Sequence, residues 1–161
     1  MKLNEKSNKK TAFNYALTLL SKQDYSESKL KKKLLNKDYE EEEILEATTR
    51  LKELGYLNDA EVVSYKFKYL FEESKKSVRE IERKLTEQGF KREDIEAARE
   101  AVGEEIYERD LAAALNLLKS KYDKKKEPQK MRALLFRHGF PSNVCFDAVN
   151  DFVNDEDEDD L

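Results

Sequence analysis

The residues that build catalytic, metal and disulfide sites are scarce in this chain of 161 residues. It has one cysteine, one histidine, four glycines, two prolines and no tryptophan. A single cysteine cannot form an internal disulfide, and one cysteine with one histidine cannot supply the ligands of a structural zinc site. Four glycines also leave no glycine-rich loop of the kind that cradles phosphates. We therefore expect a protein with no metal, no cofactor and no catalytic residue.

Long apolar runs are absent as well. No stretch approaches the roughly 18 apolar residues that a membrane span requires. The first ten residues are polar and basic with no apolar segment behind them, which is unlike a secretory signal. Charged residues make up 41% of the chain, well above the roughly 25% of a typical globular domain. These features predict a cytoplasmic protein with no membrane contact, a thin core and a large solvated surface.

The formal net charge of −4 conceals a separation of charge along the chain. Residues 1–37 hold ten lysines against three acids, and residues 118–137 hold eight lysines or arginines against two acids. The last fifteen residues hold eight acids and no base. Such blocks are usually solvated surface or disordered tail, but basic blocks can also face a polyanion or an acidic partner. In that second interpretation the acidic tail folds over the basic blocks and weakens non-specific contact with polyanions.

An internal repeat of about fifty residues runs through the chain, and repeats of this length indicate a helical array. Each copy has a leucine anchor, and the anchors are spaced 51 and 50 residues apart: Leu34, Leu85 and Leu135. An aromatic residue follows each anchor after a helix-ending position: Tyr39, Phe90 and Phe140. Because the aromatic residues share this place, core packing is the favoured role over base stacking on single-stranded DNA.

Each copy has the pattern of three helices, with apolar residues recurring at intervals of three and four. Ser26 and Ser77 occupy helix-capping positions, and Ser77 with Glu80 matches a capping box. Pro128 stands at the first helical position of the third copy, where its missing N–H costs nothing. The second helix of each copy is expected to end at a residue that tolerates left-handed backbone: Asp38, Gly89 and Gly139.

The third helix of each copy is expected to turn one apolar face inward. In the first copy that face carries Ile44, Ala47, Leu51 and Leu54. Ile95 and Val144 are expected at the position of Ile44, which makes the third copy one residue shorter after its aromatic.

The predicted fold class is therefore all-α, with three tandem three-helix repeats that form an elongated, curved right- or left-handed helical solenoid. We place the basic N-terminus and repeat 1 in residues 1–59, repeat 2 in 60–107 and repeat 3 in 108–154. Residues 155–161 are expected to be an acidic disordered tail.

This arrangement resembles the RecX family, the regulatory proteins of the bacterial recombinase RecA. The likeness covers roughly residues 12–153. It is carried by Ala16-Leu17 through Leu34, by Leu51-Lys-Glu-Leu54-Gly55-Tyr56-Leu57-Asn58-Asp59, and by the turns Leu85-x-x-x-Gly89-Phe90 and Leu135-x-x-x-Gly139-Phe140. The pair of aspartates that the family often shows after its first repeat is here Asn58-Asp59.

The resemblance implies a non-enzymatic modulator in DNA recombination, DNA repair and the SOS response. Proteins similar to this chain bind the RecA filament on single-stranded DNA, lie in its helical groove, and inhibit ATP hydrolysis and strand exchange. The resemblance implies the RecA filament as partner, with weak direct DNA contact possible, and we expect a monomer.

We expect the partner contacts on the basic face of the second helix of each copy, because arginine and lysine can engage phosphates or an acidic protein surface. The alternative is that these residues only keep the protein soluble. The candidates are Lys29, Lys32 and Lys33 in the first copy, Arg79, Arg83, Lys84, Lys91 and Arg92 in the second, and Lys124, Lys125, Lys126, Lys130, Arg132 and Arg137 in the third.

Two other functions compete with this one. A three-helix unit is loosely similar to a helix-turn-helix module, so direct DNA binding by a helical-repeat protein is the main alternative. The sequence pI of about 5.3 and the acidic tail disfavour an autonomous duplex binder. A structural scaffold would self-associate through exposed apolar patches, which the highly charged composition disfavours. An enzyme built on Cys145 and His138 lacks the third group that orients the base.

Overall fold

A computed structural model describes residues 10–122 and 127–155, and these residues form nine α-helices and no strand. The first unit consists of α1 (Ala12–Leu20), α2 (Glu27–Leu35) and α3 (Glu41–Glu53). The second unit consists of α4 (Asp59–Glu73), α5 (Val78–Glu87) and α6 (Arg92–Glu100). A 3-10 turn, Gly103–Glu105, leads into the third unit of α7 (Ile106–Lys121), α8 (Pro128–Arg137) and α9 (Ser142–Asn154). The all-α class with three three-helix units is confirmed.

Each unit encloses its own small core. The leucine anchors Leu34, Leu85 and Leu135 are fully buried at its centre. The aromatics Tyr39, Phe90 and Phe140 are buried in the same clusters, so the predicted core packing is confirmed. Within the described ranges, no helix is long and apolar enough to cross a membrane.

The helix ends follow the predicted capping chemistry. Ser26 Oγ accepts a hydrogen bond from Lys29 N–H at 3.2 Å, and Ser77 Oγ accepts one from Glu80 N–H, also at 3.2 Å. Pro128 is the first residue of α8. The three helix-ending residues have left-handed backbone, with φ of 58° at Asp38, 85° at Gly89 and 83° at Gly139.

The predicted capping box at Ser77 is only half formed. The Glu80 carboxylate pairs with Lys76 Nζ at 2.7 Å instead of closing the box. A capping box does occur at the start of α3, where Glu43 accepts from the N–H of Glu40 at 2.9 Å. A carboxylate at Glu40 takes the place of the usual serine or threonine, which explains why the sequence pattern did not indicate it.

Two predictions about the third helices are wrong. Cys145 N–H donates to Pro141 O, as Ile44 N–H donates to Glu40 O in the first unit, so Cys145 holds the position assigned to Val144. The third copy is therefore not shorter, and Val144 and Cys145 are both buried. Leu54 was expected on the buried face of α3 but is exposed, because α3 ends at Glu53.

Candidate interaction surface

A joint of backbone and side-chain hydrogen bonds connects the first unit to the second. Besides capping α2, Ser26 donates its hydroxyl to the carbonyl of Gln88, at the C-terminal end of α5, at 2.6 Å. The Asp59 carboxylate, on the first residue of α4, accepts from Glu27 N–H at 3.0 and 3.2 Å. The N-terminus of α2 is thus held by two groups of the second unit.

The same joint recurs between the second and third units. Ser77 donates its hydroxyl to His138 O at 2.7 Å, and Asp110 Oδ1 accepts from Val78 N–H at 3.0 Å. The hydroxyl, the helix N–H and the carboxylate occupy equivalent places in both joints. Asp59 and Asp110 are 51 residues apart, the spacing of the first two anchors, so the repeat contained a signal for them that the sequence analysis missed.

Two of the three helix-ending residues are glycine because a serine hydroxyl of the neighbouring unit packs directly against each of them. A Cβ at Gly89 would lie 2.8 Å from Ser26 Oγ, and one at Gly139 would lie 2.9 Å from Ser77 Oγ. Asp38 has the same left-handed backbone, but it is not part of either joint. Positive φ admits an aspartate, whereas the joint also requires the absence of a side chain.

An arginine reinforces the second joint. Arg109 Nε donates to Phe71 O at 2.9 Å and its Nη2 to Ser74 O at 2.7 Å, and Nη1 also reaches Lys76 O. Its guanidinium lies 5.2 Å from the centre of the Phe71 ring. Arg109 therefore ties the end of α4 and the loop that follows it to the start of α7.

Burial raises the pKa of the joint carboxyl groups of Asp59 and Asp110, while the backbone N–H groups of Glu27 and Val78 oppose that shift. Asp110 is 1% exposed, and its carboxylate accepts from Val78 N–H at 3.0 Å and from Arg109 Nη1 at 3.1 Å. The joints are structural devices rather than open binding sites, and the candidate contacts lie beside them.

In the first unit the structure brings two of the predicted lysines into one groove. Lys29 and Lys33 line a groove of about 390 Å³ at the first joint, together with Lys66 from α4. Lys33 Nζ lies 5.2 Å from the centre of the Tyr25 ring. Lys66 was not predicted, because it belongs to the second unit and only the packing of the two units places it here. Lys32 is exposed on a different face, beside Leu35.

In the second unit two of the five predicted cations pair with acids of the same unit. Arg83 pairs with Glu87, and Arg92 Nε lies 2.6 Å from Glu96 Oε1. Arg79 and Arg92 line one groove of about 510 Å³, which the carboxylates of Glu82 and Glu96 share. The two remaining predicted cations of this unit are a half-buried Lys84 and an exposed Lys91.

In the third unit the predicted residues of α8 differ in their surroundings. Lys130 Nζ pairs with Glu127 at 3.2 Å, and the Arg132 guanidinium lies 6.0 Å from the centre of the Phe146 ring. Arg137 is exposed in the last turn of the helix. The predicted contacts Lys124, Lys125 and Lys126 lie outside the described residues, as does most of the acidic tail.

Groups that could support chemistry are buried or dispersed. Burial raises the pKa of the Cys145 thiol, which disfavours the thiolate needed for nucleophilic attack. His138 is an exposed residue, and its carbonyl oxygen is part of the second joint. Among the residues that the structure describes, no cluster of three or more histidine, cysteine, aspartate or glutamate side chains could hold a metal ion.

Comparison with protein-family models matches residues 12–51 to the first three-helix domain of RecX. This segment corresponds to the first unit, from the start of α1 almost to the end of α3. The family model therefore matches only the first unit, whereas the similar proteins described next align with most of the chain.

Similar proteins named regulatory protein RecX cover most of the chain. The relative from Caldanaerobacter subterraneus is 31% identical over 144 residues, which are 88% of this chain and 70% of the relative. The relative from Haemophilus influenzae is 30% identical over 86% of this chain and 92% of the relative. The chain spans only about half of some relatives, such as 55% of the one from Listeria welshimeri.

Solved structures share the same fold. The crystal structure of RecX from Lactobacillus salivarius has a TM-score of 0.74 at 20% identity, over 88% of this chain and 94% of that one. Another crystal structure of a regulatory protein RecX has a TM-score of 0.74 at 23% identity, over 87% and 71% of the two chains.

Proposed function

This chain belongs to the RecX family, and on that premise we propose that it inhibits a RecA-class recombinase. In this proposal it binds the recombinase filament on single-stranded DNA, lies in the filament groove, and suppresses ATP hydrolysis and strand exchange without catalysing a reaction itself. The observation that carries the proposal is membership of a family whose relatives are named regulatory proteins.

The repeated joints support a mode of action that uses all three units together. Because each joint combines a buried hydroxyl with a carboxylate on a helix N–H, it restricts how one unit moves against the next. A molecule with several weak contact points on linked units binds an assembled polymer far better than an isolated subunit. Such a molecule acts as a monomer that follows the filament.

The groove at the first joint, which Lys29, Lys33 and Lys66 line, is our leading candidate for an electrostatic contact with the partner. Lys29, Lys33 and Lys66 line it together with one carboxylate, Asp24, and none of the three lysines forms an ion pair with a described residue. The second-unit cations Arg83 and Arg92 are already paired with Glu87 and Glu96, so we expect them to contribute least. For the other candidate lysines and arginines, contact with the recombinase or weak contact with DNA stays a prediction.

ATP hydrolysis by the cognate recombinase on single-stranded DNA, measured while the protein is titrated, tests the proposal. Inhibition well below one molecule per recombinase subunit, without tight binding to bare DNA, supports it. Absence of inhibition at equimolar protein contradicts it. Tight binding to bare DNA with a steep dependence on salt would instead indicate the direct DNA-binding function.

A further inference from the structure

Exposed apolar side chains recur at two equivalent positions of the first and third units. Leu35 on α2 and Leu45 on α3 are 54% and 61% exposed, and they line one groove of about 380 Å³. Their counterparts 101 residues later are Phe136 on α8 and Phe146 on α9, which are 62% and 54% exposed. We call these the first patch (Leu35 and Leu45) and the third-unit patch (Phe136 and Phe146).

Cations flank both patches. Lys31 and Lys32 line the groove of the first patch, and Glu41 is the carboxylate that lines it with them. Lys31 Nζ is paired with Glu27 at 2.7 Å, whereas Lys32 is exposed and has no ion pair with a described residue. In the third unit Arg132 holds the position equivalent to Lys31 and lies over the Phe146 ring.

The second unit has the opposite character at these same positions. Thr86 and Glu96 replace the apolar pair, and Glu82 replaces the cation. Glu96 pairs with Arg92 at 2.6 Å and Glu82 pairs with Arg99 at 3.1 Å. The middle unit therefore closes this surface with its own ion pairs, which shows that the fold does not require an apolar pair there.

A single exposed leucine needs no explanation, but paired apolar residues with flanking cations at matching places of two units indicate contact surfaces. Leu35 and Leu45 are aliphatic and cannot stack on bases, so nucleic acid does not account for the feature that both patches share. Patch-to-patch pairing of two copies would bring both Lys32 and Glu41 toward Arg132, so two cations would face one carboxylate and the excess of like charge opposes the pairing. An acidic protein segment that presents an apolar side chain complements both patches.

We propose that the first and third-unit patches are two equivalent docking sites for such a segment, engaged at the same time on two copies of it within a repeating partner. The inference rests on the proposed function in taking the recombinase filament as that partner. Two-point attachment to successive subunits would let the chain span the filament, with the polar middle unit passing between the contacts.

Substitutions borrowed from the middle unit test the proposal without disturbing a core. Leu35→Thr with Leu45→Glu removes the first patch, and Phe136→Thr with Phe146→Glu removes the third-unit patch. Tyr69→Thr is the matched control, because Tyr69 is 64% exposed on α4 and belongs to neither patch. Circular dichroism and thermal unfolding verify that each variant folds. Binding is measured to filaments that carry a non-hydrolysable ATP analogue on single-stranded DNA.

Either patch variant is expected to bind filaments at least about 100-fold more weakly than the unmodified chain, as loss of one point of a bivalent attachment predicts. The control variant should bind unchanged. If the unmodified chain binds and inhibits filaments but both patch variants do so equally well, the docking inference is wrong and the proposed function stands. If the unmodified chain does not bind filaments at all, the proposed function fails.

Two further results would overturn the identity of the occupant. Loss of binding to bare single-stranded DNA in the patch variants would assign the patches to nucleic acid. Self-association of the unmodified chain in sedimentation, abolished by either pair of substitutions, would assign them to a second copy.

Discussion

Ser26 and Ser77 each use one hydroxyl for two purposes. The oxygen caps the N-terminus of a second helix, and the hydrogen is donated to a carbonyl of the next unit. Both side chains are almost completely buried, so removal of the hydroxyl leaves a carbonyl and an N–H without partners inside the protein. A buried polar group without a hydrogen-bond partner destabilises the folded protein much more than the loss of an exposed capping hydrogen bond does.

Replacement of Ser77 by alanine should lower the free energy of unfolding by about 2 kcal/mol, because Glu80 N–H and His138 O both lose their partner. Urea unfolding followed by circular dichroism measures the change. Ser120→Ala is the control, since Ser120 Oγ makes an exposed bond to Leu117 O, and it should shift stability by less than about 0.5 kcal/mol. Equal effects of the two substitutions would contradict the role of the joint.

Alanine at Gly139 should destabilise the protein more than alanine at Gly55. Both residues have left-handed backbone, with φ of 83° and 76°, and that alone costs an alanine about 1–2 kcal/mol. A Cβ meets nothing within 4 Å at Gly55, but it meets Ser77 Oγ at Gly139. In the Ser77→Ala background, Gly139→Ala should lower the free energy of unfolding by about 1 kcal/mol less than it does in the unmodified chain. Urea unfolding of the single and double variants measures the difference. Strict additivity of the two substitutions would refute the close approach.

Tyr107 should titrate far above the ordinary range. Its hydroxyl donates to Asp147 Oδ2 at 2.6 Å, and that bond raises the pKa of Tyr107 to about 12. Because the bond requires the protonated phenol, its contribution to folding is complete below pH 10 and is lost as pH rises through about 12. Carbon-13 NMR of the tyrosine rings measures the titration.

Asp147→Ala should return the pKa of Tyr107 toward 10, whereas Asp151→Ala, one turn further along α9, should change it little. A pKa of Tyr107 that stays near 12 without Asp147 would exclude this hydrogen bond as the cause.

At the scale of elements, the two joints share their chemistry but differ in reinforcement. Arg109 bonds the carbonyls at the end of α4 to the start of α7 across the second joint. The residue 51 positions earlier is Asn58, which caps only its own helix by accepting from Glu61 N–H. Within the described residues the first joint has no equivalent guanidinium clamp, but the Tyr65 hydroxyl on α4 donates to the Asp24 carboxylate of the first unit across it.

Arg109→Met should destabilise the protein by about 3 kcal/mol, because methionine fills part of the space but leaves the carbonyls of Phe71 and Ser74 without their donor. Hydrogen exchange should show faster exchange in the last turn of α4 and the first turn of α5, with α1–α3 unchanged. Arg50→Met is the control, since the exposed Arg50 only covers the Phe13 ring. Uniform loss of protection in all three units would contradict a local clamp.

The helices and their ends could be predicted from the sequence because the residues that determine them are close together in the chain. A leucine anchor, a helix-ending Gly139 and the aromatic Phe140 after it lie within six residues of one another, and capping chemistry acts over the same range. The joint between Ser26 and Gln88 spans 62 residues. A repeat period locates equivalent positions within units, but it does not say which surface of one unit meets the next.

The candidate contacts were predictable only in part, for the same reason. Pairing of Arg83 with Glu87 and of Arg92 with Glu96 follows from spacing by four residues on a helix, and the sequence does contain that signal. The presence of Lys66 beside Lys29 depends on how two units pack. No local pattern could indicate it.

At the scale of the whole molecule, three small cores are joined into one array whose outer surface is not uniform. The first and third units expose apolar pairs with flanking cations, and the middle unit presents ion pairs at the same positions. A chain built in this way suits a partner that offers the same contact repeatedly. Its affinity should depend on assembly of that partner more than on any one basic residue.

The most direct measurement compares binding of the chain to the recombinase filament on single-stranded DNA with binding to the isolated recombinase subunit, under the same salt conditions. The account predicts that the filament is bound at least about 100-fold more tightly, because only the assembled partner presents two contacts at once. Equal affinity for the filament and the isolated subunit would contradict it.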